Sequence, residues 1–348
     1  MNARSGDARR MPWPELALLA GAVLLTLSGI EGWLRSHGFG DPRPGEQLVQ
    51  PDLLNMSDQR SVKVEHRTHG VSYSFNNRGF RGRDWAAPKP PGTYRIAMIG
   101  DSFVFGIGVG EQETLPAQLE YKVRQTRPGI EVVNLGVYGH NTEQEAILAG
   151  RVLPGLEPDF VILVVLSNDV DVMPWNPDAA ETCGVPLGAG ERLVHALLKN
   201  VYLFRLYYSS FVEPGCQSPR RCVMRDERRF DDDGLPARCF ARSLSGIAGE
   251  ARRAGAGVLV FFYPSYQPSW ENGEIPAVER VGDEIGKVAV GFGLPYIDGT
   301  PLMAIRTWKE LLIDVPGDYH PNGRLHEIVA GRMVEFLERY WAGQGAGR

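Results

Sequence analysis

From Tyr94 onward the chain alternates between short, almost wholly apolar runs and longer stretches with apolar residues at helical spacing. The apolar runs predict strands at Arg95 to Ile99, Glu131 to Asn134, Phe160 to Leu166, Val258 to Tyr263 and Pro295 to Ile297. The amphipathic stretches predict helices at Thr114 to Gln125, Thr142 to Arg151, Phe240 to Ala254, Ala277 to Gly291 and Gly323 to Trp341. Strands apolar on both faces belong in a parallel sheet covered on both sides. The expected fold is therefore α/β: a three-layer α/β/α sandwich around a parallel, flavodoxin-like sheet, spanning residues 93–342.

The pattern breaks in three places. Between Asp171 and Phe240 the alternation stops, and this stretch, too long for an ordinary connection, reads as an insertion able to cover an active site. Its charge run, RDERRFDDD, is most simply a solvated surface. Residues 36–92 are polar and rich in Gly and Pro, as a juxtamembrane linker is, with one alternating piece at Val71 to Phe75 that predicts a strand. Residues 343–348 read as a tail.

The first 35 residues form a third departure. Arg4, Arg9 and Arg10 precede a run whose uncharged centre, Leu16 to Ile30, lies between Trp13 and Trp33. A helix needs about 20 apolar residues to cross a bilayer, so the centre suffices only with its flanks. The expectation is one N-terminal transmembrane helix in a bacterial inner membrane, arginines inside and the remaining chain facing the periplasm or cell exterior. No A-x-A-like cleavage site follows, which favours an anchor over a removed signal.

Composition narrows the chemistry. With 37 Lys and Arg against 42 Asp and Glu, the net charge of −5 offers no basic field for nucleic acid. Cys183, Cys216, Cys222 and Cys239 all fall in or beside the insertion. In an exported domain such a set predicts two disulfides, in any of three pairings; without a C-x-x-C pair, zinc is the poorer reading and free thiols the plainest.

Candidate catalytic residues sit at predicted strand ends. Gly100-Asp101-Ser102 follows the first strand, Gly136 to Asn141 the second, and Ser167-Asn168-Asp169 the third, while Asp318-Tyr319-His320 precedes the last helix. A serine hydroxyl needs a base, a group to orient that base, and donors for the oxyanion it generates. These segments supply each part. His140 is set aside as a solvent-facing turn residue, and His66, His69, His195 and His326 as structural.

In this order and at these positions the segments resemble the conserved blocks of the SGNH or GDSL hydrolases. The resemblance makes Ser102 the nucleophile, His320 the base, and the Ser102 amide, Gly139 amide and Asn168 side chain the oxyanion donors. It makes Asp318 the orienting acid. The commonest family spacing puts that acid where Gly317 stands, and Asp314 remains the alternative. Together with the anchor, the segment Asn77 to Gly82 ahead of GDSF resembles bacterial members associated with cell-surface polysaccharides. An esterase or acyltransferase acting on O-acetylated glycan is implied, with no metal or organic cofactor. The competing readings are a lipase or phospholipase, and a glycan-binding protein without turnover. The G-x-S-x-G elbow, the dinucleotide fingerprint and the Walker lysine are missing.

Overall fold

The computed structural model describes residues 13–36, 64–66, 70–170, 189–201, 203–204, 235–264, 276–304, 308–314 and 319–345. In chain order its elements are α1 (Trp13–Ser36), β1 (Val64–His66), β2 (Val71–Tyr73), β3 (Tyr94–Gly100), α2 (Ser102–Phe105), α3 (Leu115–Val123) and β4 (Ile130–Gly136). There follow α4 (Thr142–Leu156), β5 (Phe160–Val165), α5 (Ala189–Asn200), α6 (Leu235–Arg253), β6 (Gly257–Phe262), α7 (Pro276–Gly291), β7 (Tyr296–Asp298) and α8 (Gly323–Gly345). They fall into two compact units. One comprises Met1–Glu46, Pro174–Pro177 and Gly188–Gly215, and the other Gln47–Met173, Asp178–Leu187 and Cys216–Arg348.

The second unit is built on a five-stranded sheet in the order β4-β3-β5-β6-β7. Every pairing in it is parallel. Alternation along the strands feeds two cores. Ala97, Ile99, Val161, Leu163, Val258 and Val260 face α4, α6 and α7. Ile96, Met98, Ile162, Val164, Leu259 and Phe261 face α3 and α8. This is the expected three-layer sandwich. The order reverses between β3 and β5, and at such a switch point the crevice beyond the carboxyl ends of the strands is the usual ligand site.

Part of the expected linker is packed structure instead. β2 pairs antiparallel with β1, and Phe75 bridges to Arg81. Tyr73, Phe75, Phe80 and Trp85 are buried. Tyr73 and Phe75 join Phe105 and Ile107 in a small core of their own. The expected tail begins inside α8, which runs to Gly345.

The expected transmembrane helix is not borne out. α1 forms over 24 residues, but among the described residues no helix is long and apolar enough to cross a membrane. The uncharged centre, residues 16–30, spans about 22 Å at 1.5 Å per residue, short of a hydrocarbon core of about 30 Å.

Of the insertion, only α5, Val201 and residues 203–204, which belong to the first unit, and the start of α6 are described; the charge run and the expected cover lie outside the described residues. Cys239 is buried and disulfide-bonded. Cys183, Cys216 and Cys222 lie outside the described residues, and with them the expected pairing.

Candidate active site

Ser102 opens α2, a single four-residue turn set directly on the end of β3. Asp101 caps it: its Oδ1 accepts from the Phe103 amide at 2.9 Å, and its Oδ2 accepts from the Ser102 hydroxyl at 3.2 Å. Gly106 ends the turn in the left-handed conformation at φ 84°. The turn lies so close to the sheet that only glycine fits beneath it. A Cβ on Gly136 would stand 2.2 Å from the Phe105 amide nitrogen, and one on Gly100 would stand 2.4 Å from Val104. Close seating of this kind fixes where the hydroxyl points.

His320 arrives from the far end of the chain on a backbone clasp. Leu312 bridges to Pro321, and the Ile313 amide donates to the His320 carbonyl at 3.0 Å. Asn322 locks the clasp. Its side-chain amide donates to the carbonyls of Glu310 (2.8 Å) and Leu312 (3.1 Å), and its Oδ1 accepts from the Arg324 and Leu325 amides at the start of α8. The imidazole stands 5.4 Å from the Phe103 ring and 6.5 Å from that of Tyr138, centroid to centroid. His320 Nε2 lies 2.9 Å from Ser102 Oγ.

A nitrogen at that distance can take a hydroxyl proton, as nucleophilic attack on a carbonyl requires. The GDSL-like lipase/acylhydrolase family model matches residues 98–328. The chain belongs to this family. It is accordingly a serine hydrolase with esterase or acylhydrolase activity.

Solved structures with some similarity to this chain include a lipase/acylhydrolase and an esterase. A lipase/acylhydrolase from Enterococcus faecalis is 15% identical over 71% of this chain and 97% of its own, with a TM-score of 0.41. A catalytic mutant of an acetylxylan esterase from Geobacillus stearothermophilus is 14% identical over 70% of this chain and 93% of its own, with a TM-score of 0.41. A search of the curated proteins returns no match.

The other expected site residues are placed as follows. Gly139 is exposed at φ 73°, and a Cβ placed on it would meet nothing within 4 Å, so its backbone is open to a ligand. Asn168 lies on the turn Ser167–Val170 that follows β5, at the switch point beside β3, and its side chain is not among those described. Asp169 braces that turn by accepting from the Leu166 amide at 2.7 Å. Asp318 lies outside the described residues, and Asp314 is exposed.

Of two further histidines, one departs from the sequence expectation. His140 is buried, not solvent-facing, and burial pushes its imidazole down to about 4. His326 is structural, as expected: it is fully buried, edge-on to Tyr263, and pushed down to about 3 by burial first and the charges of Arg81 and His320 after it. Sequence reading missed the bracing by Asp101 and Asn322. The signal was present, since Asp before a helical turn and Asn before a helix are common caps.

Proposed function

We propose that this hydrolase removes or transfers acyl groups through an acyl-enzyme on Ser102, with O-acetylated cell-surface glycan as its substrate class. The observation that carries the reading is the 2.9 Å approach of His320 Nε2 to Ser102 Oγ. As the hydroxyl attacks the ester carbonyl, His320 takes its proton, and the tetrahedral oxyanion is held by the Ser102 and Gly139 amides and the Asn168 side chain. Collapse expels the alcohol, which recovers the proton from His320. Water or a sugar hydroxyl then attacks the acyl-enzyme with His320 again as base, releasing acid or a new ester and free Ser102. Asp318 orients the imidazole in this scheme.

The glycan assignment is supported by the resemblance of the N-terminal run, Asn77 to Gly82 and GDSF to polysaccharide-associated members. The same reading puts the catalytic domain outside the bacterial inner membrane. Arg4, Arg9 and Arg10 ahead of α1, and exposed Trp13, Leu18, Leu24, Leu25 and Trp33 on it, support membrane targeting of this end.

The test is acetate release by the full-length chain from an acetylated polysaccharide and from a soluble acetyl ester. Release from both, lost in Ser102→Ala, is expected, and diversion of acetyl to an added sugar acceptor identifies the transferase. A preference for long-chain lipid esters with no release from acetylated glycan overturns the substrate assignment.

A further inference from the structure

Arg81 is 2% exposed, and among the described residues it makes no ion pair with a carboxylate. Its guanidinium is spent on the loop that follows the nucleophile. Nη1 donates to the Phe105 carbonyl at 3.0 Å and to the Gly106 carbonyl, and Nη2 donates to the Val109 carbonyl at 2.6 Å. The plane lies 4.5 Å from the Tyr73 ring centroid and 5.3 Å from that of Phe105. Burial lowers the guanidinium to about 10, with Tyr73, Glu111 and Glu113 acting the other way, so it stays charged at neutral pH.

The Phe105 and Gly106 carbonyls stand at the C-terminal end of α2, where a helix leaves carbonyls short of partners, and the Val109 carbonyl lies on the loop beyond it. They connect to Ser102 through a single further link. The Gly106 amide donates to the Ser102 carbonyl at 2.9 Å, and the Ile107 amide donates to it at 3.2 Å. Tyr73 adds an independent hold, its hydroxyl accepting from the Gly108 amide at 2.9 Å. Asp101 thus fixes the start of α2, while Arg81 and Tyr73 fix its end. Both come from residues 70–85, ahead of the 98–328 family match. Arg81 is itself delivered by a tight loop in which Asn76 Oδ1 accepts from the Arg78 and Phe80 amides and Gly79 takes φ 81°.

We propose that Arg81 is a positioning residue for the nucleophile, holding the 105–109 loop so that Ser102 Oγ stays in line with His320. The proposal rests on the assignment of Ser102 as nucleophile. Lysine cannot substitute: one ammonium lacks the planar fork that spans several carbonyls and stacks on Tyr73.

The experiment compares the full-length wild type with Arg81→Lys and Tyr73→Phe, each first checked for a folded near-UV CD spectrum. It measures kcat and KM on a soluble acetyl ester and the rate at which an organophosphonate labels Ser102. Misplacement of a reacting atom by about 1 Å can cost roughly 100-fold. Arg81→Lys is expected to lose roughly 10- to 100-fold in kcat with KM within about twofold, labelling slowing in parallel. Tyr73→Phe is expected to lose about threefold by the same route.

Folded Arg81→Lys with wild-type kcat and labelling overturns the proposal, as does a rise in KM alone. If Arg81→Lys fails to fold, Tyr73→Phe decides, and wild-type kcat there is equally fatal. A wild type that takes no label at Ser102 instead removes the underlying functional reading.

Discussion

Ser102 Oγ and His320 Nε2 meet at 2.9 Å although 218 positions separate them in the chain. The contact exists because two rigid supports converge. On one side α2 is seated on the ends of β3 and β4, and on the other Asn322 ties the His320 segment to residues 310–312. Asn322 is therefore the first place to test the geometry without touching a reacting group.

Asn322→Ala removes an N-cap and two side-chain donors to backbone carbonyls. A cap contributes about 1 kcal/mol and the two bonds to backbone carbonyls, one exposed and one part-buried, about as much again, so stability is expected to fall by about 2 kcal/mol. Urea unfolding measures that loss. kcat is expected to fall with it, because His320 is two residues from the lost clasp.

Glycines at the site separate packing from chemistry. In Gly136→Ala the new methyl meets backbone at 2.2 and 2.6 Å, which no rotamer relieves, and a loss of about 4 kcal/mol or failure to fold is expected. In Gly139→Ala the methyl meets nothing within 4 Å and the cost is the positive φ alone, about 1–2 kcal/mol. This second variant should fold. Its kcat should nonetheless drop, by up to about 100-fold if the strained amide turns away from the oxyanion.

His326 makes stability depend on pH. The fold holds its imidazole at about 3 against an ordinary 6.5, so below 6.5 the unfolded chain binds a proton that the folded chain refuses. Stability from this group is thus present above 6.5 and is lost as pH falls toward 3, by about 1.4 kcal/mol per pH unit. Glu145 acts in the opposite sense, since burial first and Asp101 second hold its carboxyl protonated well above 4.5. The difference between proteins isolates His326: between pH 6.5 and 4.5, His326→Gln should show a stability slope shallower than wild type by about one proton. An unchanged slope contradicts the buried, neutral assignment.

The sheet and its helices were legible because burial on both faces writes itself as uninterrupted apolar runs, as in Phe160–Val165, all six of which are buried. The nucleophile and base were legible because their residue types and strand-end positions leave few other uses. Of residues 70–85 only the strand was legible, from the alternation of Val71, Tyr73 and Phe75 that β2 bears out. Phe80 and Trp85 continue no period, and the Gly and polar residues around them read as linker, although the turns they make bring Arg81 to Phe105. α2 was equally hidden, since four residues are too few to show a period. His140 was misjudged because a turn residue is ordinarily solvated, whereas here it is 2% exposed beside the start of α4. The membrane span was overread from composition, where fifteen uncharged residues were credited with the length of their flanks.

The most direct test of the account is the labelling of full-length protein with an organophosphonate ester, read by peptide mass mapping and by rate. A single adduct on Ser102 is predicted, absent in Ser102→Ala and slowed about a thousandfold or more in His320→Ala, because the hydroxyl then loses the imidazole nitrogen at 2.9 Å that takes its proton. An adduct on another residue, or undiminished labelling of Ser102 in His320→Ala, would contradict it.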